Sequence, residues 1–306
     1  YLLSLALFSG NAAFCQENTA SQKVVAGAGR MHVYLPLLKG KKVAVFDNQT
    51  SMVGNKHLMD TLLKERVNIV KIFGPEHGFR GDASAGEKVG NMVDKKTGIP
   101  IISLYGNHKK PVAEDVKDVD VLVFDIQDVG VRFYTYISSL EYFLEAALEM
   151  HKPLLILDRP NPNGFYVDGP VLKPEFKSFI GMQRIPIVYG MTMGEYALML
   201  TGENWLSKKA NEINAYNITT NPTADTPFHV QVIKCRNYDH TSSYELPVMP
   251  SPNLRSMQSI YLYPSTCFFE GTVLSEGRGT TKPFQVFGHP ALPKNLFSFT
   301  PNPTEG

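Results

Sequence analysis

Cysteine is scarce: three residues, at positions 15, 235 and 267, in a chain of 306. Neither a CxxC pair nor an HExxH segment occurs, so no metal site of familiar spacing is expected. The glycine-rich nucleotide signatures are missing too. There is no GxGxxG after the first strand and no GxxxxGK[ST] anywhere, which argues against a dinucleotide or nucleotide cofactor. A GxSxG nucleophile elbow is likewise absent, which weakens an amidase or esterase reading. Surplus charge of one sign is lacking: 30 Lys and Arg stand against 29 Asp and Glu. A nucleic-acid binder needs a basic footprint to displace counterions from phosphates, so that class is not expected. One local basic pocket for an anionic group remains open. No apolar run is long enough to cross a bilayer, so stable membrane insertion is not expected.

The chain opens on an apolar stretch, residues 1–8, followed by small residues over 9–16. Residues 1–16 read as the remnant of a secretory signal, with Ala13 and Cys15 at the small-residue positions before the cut. A buried N-terminal helix is the alternative. On the first reading the protein is exported, to the periplasm or beyond. Cys235 and Cys267 then remain, as one disulfide or two buried thiols.

From residue 42 onward, short β runs alternate with helical patterns. Strands are expected over residues 42–47, 67–73, 100–104, 119–124 and 153–157, and one more over 230–233. Most are apolar on both faces, as parallel strands covered by helices are. Helices are expected over 57–65, 134–150 and 193–200, the last with Thr192 as N-cap and Glu195 completing a capping box. The sum is an α/β fold: a Rossmann-like open, mostly parallel sheet with helices on both faces. Residues 24–287 would form this catalytic domain. Residues 267–272 read as a further strand and turn. Residues 288–306 read as a linker and the start of a truncated second α/β domain.

The strand ends carry the unusual residues. Asn48 follows the first strand, and Glu76, His77 and Arg80 follow the second. Tyr105 follows the third. Asp125, Gln127, Asp128, Arg132 and Tyr134 follow the fourth, and Asp158, Arg159 and Asn161 the fifth. In an open parallel sheet the ligand crevice lies outside the carboxyl ends of the strands, so these loops should meet in one cleft. Amides, carboxylates and Arg suit sugar hydroxyls, and Tyr105, Phe133, Tyr134 and Tyr136 offer stacking faces.

Glu76 sits between Pro75 and His77 in a glycine-bracketed turn. A rigid carboxyl there can serve as general acid if burial raises its pKa; a loop-bracing Glu is the alternative. Asp125 and Asp128 supply a possible second carboxylate or cap the turn before Arg132. Asp158 and Arg159 read as an ion pair bracing their own loop, and His77 as a hydrogen-bonding partner rather than a metal ligand. Farther on, Glu276, Arg278 and Thr280 stand among glycines. Arg can grip a carboxylate bidentately, so this segment reads as a clamp for an anion or sugar acid, with a solvated turn as the alternative.

Together the segments GPEHGFRG (74–81), DIQDVGVRFYTY (125–136), DRPNP (158–162), GMT (190–192), PSPN (250–253) and SEGRGT (275–280) resemble the exo-β-N-acetylmuramidase family of peptidoglycan hydrolases. The resemblance runs from about Val24 to the end. It implies a Rossmann-like catalytic domain with a smaller C-terminal α/β domain. It also implies release of terminal N-acetylmuramic acid from the non-reducing end of peptidoglycan fragments, without cofactor or metal. Glu76 is the expected catalytic acid, and Asp125, Asp128 and Glu276 are the candidates for the second group. Peptidoglycan-derived muramyl saccharides are the expected partners. His77, Arg80, Asn48, Gln127, Arg132, Tyr134, Asn161, Asn253, Arg278 and Thr280 are the expected substrate contacts, with Arg278, Arg80 or Arg132 on the lactyl carboxylate. A non-catalytic wall-sugar-binding protein is the rival. Three departures stand out: Tyr189 replaces an expected His, Gln285 replaces an expected acid, and little of the C-terminal domain would be present.

Overall fold

The computed structural model describes residues 23–76, 78–79, 92–214, 230–293 and 295–302. Nine strands are assigned among them: β1 Lys42–Asp47, β2 Met52–Val53, β3 Lys56–His57, β4 Asn68–Gly74, β5 Met92–Val93, β6 Pro100–Ser103, β7 Val121–Asp125, β8 Leu154–Leu157 and β9 Val230–Ile233. The helices are α1 Met31–Leu38, α2 Leu58–Lys64, α3 Ala113–Val116, α4 Tyr136–Glu149, α5 Met193–Gly202, α6 Lys208–Asn214 and α7 Met257–Thr266.

One seven-stranded sheet runs in the order β5-β6-β4-β1-β7-β8-β9. Every pairing in it is parallel except that of the short edge strand β5 with β6. Taken alone, the six parallel strands lie in the order 3-2-1-4-5-6, the doubly wound arrangement with its switch point beside the first strand. Successive strand residues point to opposite faces. Ala44 and Phe46 therefore join one core with Leu140, Phe143 and Leu144 of α4, while Val43 and Val45 join another with Tyr34 of α1 and Leu58 and Leu62 of α2. Two buried faces explain why the strands read as continuous apolar runs.

The α5 capping box forms as expected: Glu195 N donates to Thr192 Oγ1 at 3.1 Å, and Thr192 N donates to Glu195 Oε2 at 2.9 Å. One local expectation fails in the C-terminal third, and one helix there has no counterpart in the sequence reading. Residues 257–266 form α7 although Pro264 lies within it; a capping box at Ser256 starts the helix, and its buried Ile260 and Tyr263 hold it to the core. Residues 267–271 are a 3-10 helix continuing from α7, not a strand, and this places the exposed Glu270 on the cavity wall. Cys235 and Cys267 are both free thiols. Among the described residues no helix is long and apolar enough to cross a membrane.

Between β8 and α5 the chain makes a paired excursion. Asp168 and Val188 exchange backbone hydrogen bonds at its base, and Ser178 and Gly181 pair near its tip. Arg132 reaches under it and donates to the carbonyls of Pro170 and Ile185.

Candidate active site

A cavity of about 200 Å³ opens over the carboxyl edge of the sheet. Its walls come from the loops after β4, β6 and β7, the tip of the excursion, and the segment from Ser251 to Phe284. Glu76 arrives from the end of β4. Tyr105 Oη donates to its Oε1 at 2.9 Å and Thr135 Oγ1 to its Oε2 at 3.1 Å. Thr135 occupies the N-cap position of α4, yet its hydroxyl goes to Glu76 and caps nothing. Burial first, and the Glu76 charge second, push the Tyr105 phenol up to about 12, so it stays a donor.

The same cavity is also lined by part of a charged cluster that sequence reasoning located only in part. Arg278 Nη2 reaches Glu270 Oε1 at 2.5 Å, and its Nε reaches Glu276 Oε1 at 2.8 Å. The guanidinium also lies 5.3 Å from the Phe284 ring centroid. Glu270 and Arg278 line the cavity, whereas Glu276 is nearly buried behind them. Arg278 is thus spanned by two carboxylates, which corrects its reading as a vacant anion clamp. Glu276 positions Arg278 and does not border the cavity, so its candidacy as a catalytic group is also corrected. The glycines around Arg278 serve the chain itself: a Cβ on Gly279 (φ +76°) would lie 2.1 Å from Asn302 O. Thr280 Oγ1 donates to Gly277 O at 2.6 Å and closes the same turn, so it is no substrate contact here.

Several expected site residues are structural supports. Asp125 is fully buried and forms a bidentate pair with Arg159, Nε to Oδ1 at 2.5 Å and Nη2 to Oδ2 at 2.8 Å. Arg159 Nη2 also donates to Met52 O, so the guanidinium bridges β2 and the end of β7. The pair thereby occupies the switch-point crevice, and Asp125 has no access to a ligand. Arg159 does not pair with Asp158 as expected; Asp158 instead accepts from Arg159 N, Thr192 Oγ1 and Gly194 N. Asn48 is spent on Thr50 and on the Tyr136 hydroxyl. Gln127 ties Asp128 O to Pro160 O. Asn161 bonds Met191 O and Asn163 N, packed so closely on Gly130 (φ +77°) that a Cβ there would lie 2.1 Å from its Oδ1. Arg132 is committed to the excursion. Each of these side chains satisfies a loop that is buried by its neighbours, and that explains its polar type without a ligand.

Asp128 also lies beneath the cavity and does not border it. Its Oδ2 accepts from Tyr189 Oη and, at 2.6 Å, from Gly130 N, while Oδ1 is buried without a hydrogen-bond partner among the described residues. Burial pushes this carboxyl up to about 7 against the opposing pull of those donors. Burial likewise raises Glu141 to about 7 and Asp158 to about 6. These groups keep protons in the folded state that the unfolded chain gives up near pH 4. The folded state therefore binds more protons between about pH 4 and pH 7, and stability falls as pH rises through that window. Melting curves at pH 5 and pH 8 should show a lower Tm at pH 8, and Asp128→Asn should shrink the difference. An unchanged difference would remove Asp128 from the linkage.

Tyr134 and Asn253 do line the cavity. Tyr134 Oη donates to Pro250 O at 3.1 Å, edge-on to Tyr136 and Tyr263. His77 and Arg80 lie outside the described residues. Sequence reasoning missed Thr135, Phe179 and Glu270; of these only Glu270, beside Gly271 in an aromatic run, carried a usable signal. Among the described residues no group of three or more His, Cys, Asp or Glu is placed to hold a metal.

Comparison with known proteins bears on the same residues. The description Exo-beta-N-acetylmuramidase NamZ, N-terminal, matches residues 43–258, and the C-terminal counterpart matches residues 261–301. The cavity takes Glu76 from the first stretch and Glu270 and Arg278 from the second. The Bacillus subtilis peptidoglycan beta-N-acetylmuramidase NamZ is 42% identical over 266 residues, which cover 85% of this chain and 59% of that protein. The chain thus spans less than two thirds of that relative. Two crystal structures of DUF1343 family proteins from Bacteroides fragilis are similar. One has TM-score 0.79 and 49% identity, covering 92% of this chain and 71% of the other; the second has TM-score 0.73 and 35% identity, covering 86% and 65%. On the extent of the N-terminal match and the identity to these relatives, the chain belongs to the exo-β-N-acetylmuramidase NamZ family.

Proposed function

We propose that the protein is an exo-acting glycoside hydrolase that releases terminal N-acetylmuramic acid from the non-reducing end of peptidoglycan fragments, outside the cytoplasm. The observation that carries this reading is the pairing of Glu76 and Glu270 on the walls of one cavity. A volume of about 200 Å³ suits a single terminal sugar better than a glycan strand. The aromatic walls, Phe133, Tyr134 and Phe179, suit the apolar face of such a ring. Glycoside hydrolysis needs a proton on the leaving oxygen and a second group on the other side of the sugar. Glu76, oriented by Tyr105 and Thr135, donates the proton as the C1–O bond breaks. Glu270, whose Oε1 is tied to Arg278 and whose Oε2 accepts from Cys267 Sγ at 4.0 Å, is the candidate base that takes the proton of the water adding at C1.

The test is product analysis. Incubation with a labelled muramyl disaccharide should yield free N-acetylmuramic acid, identified by mass. Release of peptide from a wall fragment with the glycosidic bond intact would replace this reading with an amidase or esterase. The two glutamates near Arg278 separate by role. Glu270→Gln should lower kcat by roughly 10²–10³-fold. Glu276→Gln, which loosens Arg278 only, should cost less. Equal losses would place Glu270 among the supports.

A further inference from the structure

A muramyl sugar differs from N-acetylglucosamine by a lactyl carboxylate, and a selective site must supply a cation for it. Arg132, Arg159 and Arg278 are all committed. Arg159 is locked to Asp125. Arg278 is already shared by two carboxylates, and Arg132 is bonded to two backbone carbonyls beneath the excursion. Lys110 is held by Glu145 and Glu149, each at 2.8 Å. Lys109 differs. Its Nζ lies 4.5 Å from the centroid of the Phe179 ring, and Phe179 borders the cavity. No hydrogen bond or salt bridge ties that ammonium to another described residue.

The surroundings fix Lys109 at this place. On one side His108 Nε2 stands at ion-pair distance from Asp115 Oδ2, 2.9 Å, without hydrogen-bond alignment; on the other Lys110 is anchored to α4. With both neighbours tied to helices, the loop holds Lys109 against Phe179, one residue back from the cavity lining. Tyr142 stacks parallel to Phe179, with centroids 5.9 Å apart, and steadies the ring that the ammonium rests on. A cation on an aromatic face keeps its charge while its stem is covered. The described charged residues that line the cavity are Glu76, Glu270 and Arg278, which sum to one negative charge. An anionic sugar entering there needs a compensating cation close by.

Resting on the hydrolase reading for its ligand class, we propose that Lys109 is the specificity residue that pairs with the lactyl carboxylate of a muramyl sugar. The test is equilibrium binding, which needs no turnover. N-Acetylmuramic acid and its neutral lactyl amide are titrated against the protein and its Lys109→Gln and Lys109→Arg variants. The unmodified protein should prefer the acid by roughly 10- to 100-fold, the range of a charge-assisted hydrogen bond. Lys109→Gln should lose that preference by weakening the acid alone, and Lys109→Arg should retain most of it. Three results would overturn the proposal: a preference unchanged in Lys109→Gln, equal weakening of both ligands, or no preference in the unmodified protein. Selective binding by a protein that cleaves no muramide would instead sink the hydrolase reading and leave Lys109 in its role.

Discussion

Replacing Glu76 by glutamine is expected to lower release of N-acetylmuramic acid by roughly 10²–10⁴-fold, the usual worth of a positioned general acid. Glutamine keeps an oxygen that can accept from Tyr105 Oη or Thr135 Oγ1, so the loop after β4 retains an anchor. It cannot deliver a proton to the leaving oxygen. The expected signature is a collapse of kcat with little change in KM or Tm, measured on a chromogenic muramide and by thermal melting. A substrate with an activated phenolic leaving group needs less protonation and should lose less than a natural disaccharide. Undiminished hydrolysis would remove Glu76 from the chemistry. If the unmodified protein bound muramyl sugar without cleaving it, the non-catalytic binding reading would take over.

The second large effect concerns stability. Arg159→Met leaves the Asp125 carboxylate fully buried and without its bidentate partner. Breaking a buried pair from one side costs about 3–5 kcal/mol, which for a domain of this size is a fall in Tm on the order of 10 °C. Removing both charges is different, because a packed apolar pair no longer carries the desolvation cost of two ions. The double variant Asp125→Leu/Arg159→Met should therefore recover most of the loss and keep its activity per folded molecule. Thermal melting and a muramide assay below the transition check both halves. A stable double variant without activity would return Asp125 to the catalytic candidates, where residue type alone had placed it.

Residue type is informative about the loops and poor at assigning their roles. The DIQDVGVR segment contributes Asp125, Gln127, Asp128 and Arg132, four polar residues after one strand. All four are buried in pairings with loops from other strand ends. A cleft-forming sheet edge needs many polar side chains merely to satisfy its own backbone, and these have the same chemistry as ligand contacts. Glu270 shows the converse. Its aromatic neighbours read as a strand, yet the segment continues α7 as a 3-10 helix and brings the carboxylate to the cavity wall.

The sheet, its covered faces, the α4 and α5 helices and the placement of Glu76 at a strand end follow from periodicity, caps and glycine-bracketed turns. Such signals act over a few residues and survive without knowledge of the rest of the chain. Which carboxylate faces the cavity and which is locked in an ion pair was decided by tertiary structure. Asp125 meets Arg159 34 residues away, and Arg278 stands between Glu270 and Glu276 only after α7 has packed. Burial and charge pairing arise from contacts between distant segments, and a linear sequence does not state them.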